Sequence, residues 1–307
     1  MSDFVEYLTA KRSVDDRALN RRVWDEFVSG LTDRATATDR PLRIVEVGAG
    51  VGSMVARLAD WERLPGTVSY RAVDVSDECV TAARERVPEW LSAAGYATTV
   101  DDGVVTAELP DGDTRFEISF ETADAREIVD DADAVIAAAF LDIVDPDRLL
   151  ASLRDVLRPD GSLYAPCTFD GATHFSPAHP DDGRIESLYH RHMDEIRERP
   201  GSSRAARDVL ERAPTHGYDV TAVGGGDWVV RPRGGTYPNG EDAFLDHLLA
   251  TIDGALADYP ADTLDPSVPE AWVSTRRAQL ADGEFGLVAH HLDLLARLRS
   301  PRSPSTG

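Results

Sequence analysis

The 307-residue chain sets 32 basic residues against 55 acidic ones, a formal net charge of −23, and every basic residue except Lys11 is arginine. With 42% hydrophobic and 28% charged residues the composition is that of a folded chain of one large or two ordinary domains, which excludes a disordered or low-complexity protein. The carboxylate excess argues against nucleic acid as a partner, since phosphate binding draws on clustered Lys and Arg. It predicts a halophilic cytoplasm, where the Debye length of ~3 Å at 1 M salt relieves self-repulsion.

Cys79 and Cys167 have no CxxC or Cys/His spacing, so neither a disulfide framework nor a metal site is expected. The start, Met1-Ser2-Asp3-Phe4-Val5-Glu6, has no signal-peptide pattern. The longest apolar run, 134–141, is too short to span a bilayer, so a cytoplasmic protein with no membrane partner is expected.

In chain order, 3–31 reads as one or two amphipathic helices, with Phe4, Tyr7 and Leu8 on one face and Leu19, Val23, Trp24, Phe27 and Leu31 on another. A polar linker, 32–40, follows. Strand 42–47, helix 53–61, strand 68–73 and helix 77–94 then form a βαβ unit. Segment 95–114 reads as a loop or exposed hairpin, 115–121 as a strand, 133–140 as a fully apolar strand, and 148–157 as a helix stopped by Arg158-Pro159-Asp160-Gly161. A fifth strand, 162–168, leads into a His- and Pro-containing loop reaching 182. Helical patterns cover 184–199, 203–213, 241–257 and 270–281, with a sixth strand at 218–223 and a seventh, antiparallel one guessed at 284–295. The tail, 300–307, has no apolar anchor and is expected to be disordered.

The turn Glu46-Val47-Gly48-Ala49-Gly50-Val51-Gly52, between a strand and a helix, needs glycine wherever φ is positive or a ligand touches the backbone. A dinucleotide fingerprint puts its third glycine three positions after the second, where this chain has Ser53. With that spacing the sequence resembles the class I S-adenosylmethionine-dependent methyltransferases, here from a haloarchaeon-like acidic proteome. The resemblance covers about 40–170 and implies S-adenosylmethionine as cofactor. It implies that Glu46, Gly48, Gly50 and Gly52 bind it, that Asp74 accepts from the ribose hydroxyls, that Asp124, next to Ala125, accepts from the adenine amino group, and that the strand end from Ala137 through Phe140 to Asp142 lies under the methionine part.

The expected fold is a doubly wound, mostly parallel seven-stranded α/β sheet with helices on both faces, an N-terminal helical cap and a C-terminal helical insertion. Segment 1–40 would be cap and linker, and 41–299 a Rossmann-like domain with a nucleotide half, 41–170, and a substrate half, 171–299. Substrate groups should come from the loops after strands four and five. Arg12 or Arg17 would pair a carboxylate, Asp142, Asp170 and Tyr189 would contact substrate, and His192 or His174 would be the base. His190 and His192, two residues apart on a helix, do not face each other as metal ligands would.

The expected activity is in-line methyl transfer to a small molecule, with oligomeric state open. The rivals are an RNA or protein methyltransferase, which needs Arg197-Glu198-Arg199, Arg204, Arg207 and Arg231-Pro232-Arg233 to converge, a dinucleotide-dependent oxidoreductase, and a cofactor-binding protein without turnover.

Overall fold

Strands whose side chains are apolar on both sides, as in Val45-Glu46-Val47 and Ala134-Val135-Ile136, are stable only where helices cover both faces of a sheet. The computed structural model describes residues 3–62, 64–197 and 201–300. Among these, β1 (Leu42–Val47), β2 (Gly66–Asp74), β3 (Ala97–Asp101), β4 (Val104–Glu108), β5 (Thr114–Thr122), β6 (Ala132–Ile136), β7 (Leu157–Ser176), β8 (Tyr218–Val230) and β9 (Gly286–Leu298) form one sheet, in the order β3-β4-β5-β2-β1-β6-β7-β9-β8. The helices are α1 (Asp3–Ala18), α2 (Arg21–Thr36), α3 (Ser53–Trp61), α4 (Asp77–Ala93), α5 (Pro146–Val156), α6 (Asp182–Arg191), α7 (Ala205–Arg212), α8 (Glu241–Ala257) and α9 (Ser267–Ala281).

The nine-stranded mixed sheet corrects the expected seven-stranded, mostly parallel one. β5, β2, β1, β6 and β7 are parallel neighbours. β3 and β4 add an antiparallel hairpin at one edge, turning through Asp102 and Gly103, both at positive φ (49° and 80°). An Asp-Gly pair suits a two-residue hairpin turn, because its twist matches that of the flanking strands. At the other edge β9 lies between β7 and β8, antiparallel to both, as guessed for the last strand.

The expected loop after Thr168 is instead strand. β7 runs on to Ser176 because β9 lies beside it, pairing Phe175 with Leu287 and Ser176 with Gly286. Register shifts fall near Cys167 and Gly171, both at positive φ, where the extra residues leave the ladder. The expected linker also shortens, since α2 continues to Thr36. α2 starts at Asn20, whose side chain accepts from the Val23 N–H, and α5 starts at Asp145, which accepts from Asp147 and Arg148. The helical pattern at 184–199 breaks after Arg191 into a π turn, His192–Ile196. Residues 198–199 and all but the first residue of the expected tail, 301–307, lie outside the described residues.

Three cores result. Trp24, Phe27 and Leu31 of α2, with Val55 and Leu58 of α3 and Val87 and Leu91 of α4, cover one face of the sheet. Leu149, Leu150 and Leu153 of α5 and Val209 of α7 cover the other, each fully buried leucine contributing about 1.5–3 kcal/mol. A third core joins Val14 of α1, Ile185 of α6, Phe244 and Leu249 of α8 and Trp272 of α9 to the far ends of β7, β8 and β9. Two helical layers with a third core at one end bring α1 across the carboxyl ends of β1 and β6. Among the described residues no helix is long and apolar enough to cross a membrane.

Candidate active site

β1 leads into α3 through a turn in which Gly48, Gly50 and Gly52 hold φ of +66°, +53° and +79°. The Ala49 N–H donates to Val73 O (3.0 Å) and the Gly52 N–H to Ala49 O (2.9 Å), pinning the turn to the end of β2. The three glycines serve different ends. A Cβ on Gly52 would lie 2.5 Å from Val87 Cγ2, so the third glycine lets α3 approach α4. A Cβ on Gly48 would overlap the Phe140 ring, and one on Gly50 would lie 3.1 Å from Leu8 Cδ1 of α1. The bare backbone at Gly48 and Gly50 is thus covered by a side chain from the end of β6 and one from α1.

Asp74 is oriented by two backbone amides, Gly50 N–H to Oδ2 (2.8 Å) and Ser76 N–H to Oδ1 (2.9 Å). Each oxygen keeps a further lone pair. The Ala123 N–H donates to Asp74 O (3.0 Å), which brings the end of β5 alongside. There Asp124 is ion-paired with Arg126, while Ala125 is buried among Val47 and Val73. Glu46 is 2% exposed and accepts the Tyr70 O–H (2.7 Å); burial pushes its carboxyl up to about 8, against the Tyr70 hydrogen bond and the nearby Arg57.

α1 is fastened over this turn by side chains along its length. Val5 packs with Val51 and Ala82, and the Arg12 guanidinium stacks 4.5 Å from the Trp90 ring. Asp16 accepts from the buried Arg57 (2.5 Å). Arg17 and Ser13 both donate to Glu241 at the start of α8 (2.6 and 2.8 Å), whose side chain is 1% exposed. These partners correct the expectation that Arg12 or Arg17 reaches a ligand carboxylate, because each guanidinium is held by the protein's own groups.

Lys11, the chain's one lysine, points inward instead. Its Nζ lies 2.6 Å from Asp15 Oδ2 and 4.7 Å from the centre of the Trp228 ring, and Trp228 Nε1–H also donates to Asp15 (3.0 Å). Trp228 packs against His291 with centroids 4.0 Å apart and the rings tilted by 39°. Burial pulls His291 down to about 3, so its ring is neutral. Asp293 accepts from the Asn20 and Cys167 N–H groups, and burial raises it to about 6.

Next to this cluster lies Asp142, in a 3-10 turn (Leu141–Ile143) directly after Phe140. Its main-chain oxygen accepts from the Arg197 guanidinium and from Ser202 N–H (3.3 Å). Its Oδ1 is screened from solvent and has no hydrogen-bond partner among the described residues. Tyr7 of α1, Tyr189 of α6, Lys11 and Arg197 are the groups within Coulombic reach, and burial raises the carboxyl. Burial also raises the Tyr7 phenol and pushes Tyr189 up to about 12, so both stay protonated donors. His190 Nε2 is likewise buried without a partner, its ring edge-on to Phe169 (5.4 Å) and its pKa lowered by burial.

The structure therefore brings Glu46, the three glycines, Asp74, Phe140, Asp142 and Tyr189 to one end of the sheet, with Asp124 and Ala125 at its side. It does not bring the others. His192 Nε2 lies 2.8 Å from Asp258 Oδ2 just past α8. His174 stands exposed on β7 opposite Val288, in strand where a loop was expected. Asp170 is buried in an ion pair with Arg207 Nε (2.9 Å) and anchors α7. Tyr7, Lys11 and His291 went unread as site residues. The inward lysine had one signal, its being the single departure from an arginine-only basic composition.

A family model for a methyltransferase domain matches residues 45–163, which carry the glycine turn, Asp74, Asp124, Phe140 and Asp142. Residues 45–163 thus match a methyltransferase domain, 119 of the chain's 307 residues. A putative methyltransferase of Bacillus halodurans is 12% identical over 89% of this chain and 98% of its own, with a TM-score of 0.49. A SAM-dependent methyltransferase of Geobacter sulfurreducens, solved in complex with S-adenosyl-L-homocysteine, is 15% identical over 88% of this chain and 91% of its own, with a TM-score of 0.41. A non-reducing polyketide synthase of Macrophomina phaseolina is 37% identical over 76 residues, 24% of this chain, and the match spans 3% of that protein's length.

Proposed function

We propose that the whole chain transfers the methyl group of S-adenosylmethionine to a small-molecule acceptor held beneath α1. The observation that carries this reading is the cover over the turn: Leu8 and Phe140 lie on the bare backbone of Gly50 and Gly48, and ion pairs fasten α1 at Asp16 and Arg17. An acceptor reaching this place must fit under a helix, which suits a small molecule better than an RNA or a folded protein. Arg197 and Arg207, which a nucleic-acid groove would need, are tied to the Asp142 carbonyl and to Asp170. Residues 198–199 of that basic cluster lie outside the described residues.

The residues present fit the cofactor. The Asp74 carboxylate has acceptor positions left for two hydroxyls, and Asp124 stands at the neighbouring strand end. When bound, S-adenosylmethionine supplies an activated methyl on a sulfonium. Phe140 and α1 would exclude water from it, Asp74 would orient the ribose, and Asp142 with Tyr189 would hold the acceptor in line, so that alignment supplies most of the acceleration.

The test is incubation of the protein in high salt with methyl-labelled S-adenosylmethionine and a metabolite extract, beside RNA and protein fractions. The label is expected in a low-molecular-mass product. Label confined to RNA or protein would refute the acceptor class, and binding of a nicotinamide dinucleotide in place of S-adenosylmethionine would refute the cofactor.

A further inference from the structure

We propose that Asp142 faces the methyl-bearing end of the cofactor site and takes the proton that an N–H or O–H acceptor gives up on methylation. This rests on the S-adenosylmethionine reading above and assigns the acceptor's chemistry within it.

The first support is position. In an open α/β sheet the ligand crevice opens at the carboxyl ends of the strands where the strand order reverses. Here that place is β1, flanked by β2 and β6, and Asp142 comes two residues after the ring that covers Gly48. The second is demand. A carboxylate only accepts, so a buried Oδ1 without a partner calls for a donor that none of the described residues provides. Lys11, one charged group within reach, directs its Nζ to both oxygens of Asp15 (2.6 and 2.8 Å), and Arg197 donates to the Asp142 main-chain oxygen. The third is rigidity. Arg197 and Ser202 hold the Asp142 main-chain oxygen, which fixes the backbone from which the carboxyl projects. Burial raises the proton affinity of the carboxyl, the direction that favours a proton acceptor.

The step balances. A lone pair on the acceptor nitrogen or oxygen forms a bond to the methyl carbon, and the carbon–sulfur bond breaks with its electron pair remaining on sulfur. The proton from the acceptor passes to Asp142 and thence to water. An acceptor with no proton to lose would leave the orphaned oxygen without a role, so the site is matched to amines and hydroxyls.

The test needs no acceptor. Sinefungin carries an amine where the sulfonium methyl would be, whereas S-adenosylhomocysteine has nothing there. Both are titrated by calorimetry against the unaltered chain, Asp142→Asn and Asp142→Ala, with thermal melts confirming that the variants fold. Loss of a charge-assisted hydrogen bond to the amine should weaken sinefungin about tenfold or more in both variants, with S-adenosylhomocysteine little changed. Equal losses for the two ligands, or no loss for either, would overturn the assignment. An unaltered chain that binds neither ligand would instead overturn the S-adenosylmethionine reading.

Discussion

Replacing Glu46 by glutamine should make the chain more stable in mild alkali while leaving it nearly unchanged in mild acid. Glu46 is 2% exposed at the end of β1, and burial holds its carboxyl at about 8 against an ordinary value of 4.5. The folded chain therefore binds this proton more tightly than the unfolded one. Stability falls with rising pH wherever the folded state carries the extra proton, here from about 4.5 up to about 8. Between pH ~6.5 and ~8.5 the loss from this one group works out at about 2 kcal/mol, which for a chain of this size is a Tm drop of about 3 °C. His291 at about 3 and Asp293 at about 6 change charge mostly below that window, so they disturb it little. Glutamine keeps an acceptor for the Tyr70 hydroxyl and carries no charge. Thermal melts of both proteins at the two pH values, in molar potassium chloride, give the comparison. Equal pH-dependent drops in the two proteins would refute the claim that Glu46 is held protonated.

Gly52→Ala should cost roughly 2–4 kcal/mol, from a left-handed φ combined with overlap against Val87, and denaturant melts would show it; a change under about 0.5 kcal/mol would mean that α3 and α4 have room to part. The melting temperature of the unaltered chain should rise between dilute buffer and molar potassium chloride, because a net charge of −23 repels itself until it is screened, and a flat response would remove the salt-adaptation reading.

Local signals were legible in the sequence and contacts between distant segments were not. Helices 53–61 and 241–257 were read to the residue, the first because glycines precede an apolar face, the second because Gly240 breaks the chain just before it. β7 was cut short because Asp170-Gly171 looks like a turn, and only β9, more than a hundred residues on, keeps that stretch extended. The edge hairpin was left open as loop or hairpin, since Asp102-Gly103 signals a turn without saying whether a sheet receives it. In the site, the glycine turn and Asp74 announced themselves because their chemistry is contiguous. His192 keeps its helical spacing from Tyr189, its N–H donating to Leu188 O, but its ring meets Asp258, a contact no local pattern records. Leu8, Tyr7 and Lys11 owe their place to the packing of α1 on α8 and β8, which no local pattern records.

That packing has a bearing on how the chain matures. The joint between α1 and α2 rests on Gly226 of β8, where a Cβ would strike the Ala18 carbonyl, and Asn20 N–H is held by Asp293 of β9. The residues that seat the far end of the first helix are thus some two hundred or more positions later. During synthesis at about 5–20 residues per second, the partners of its near side, Val51, Arg57, Ala82 and Trp90, are made many seconds before β8 and β9. The cover over the glycine turn is therefore completed only when the last strand arrives.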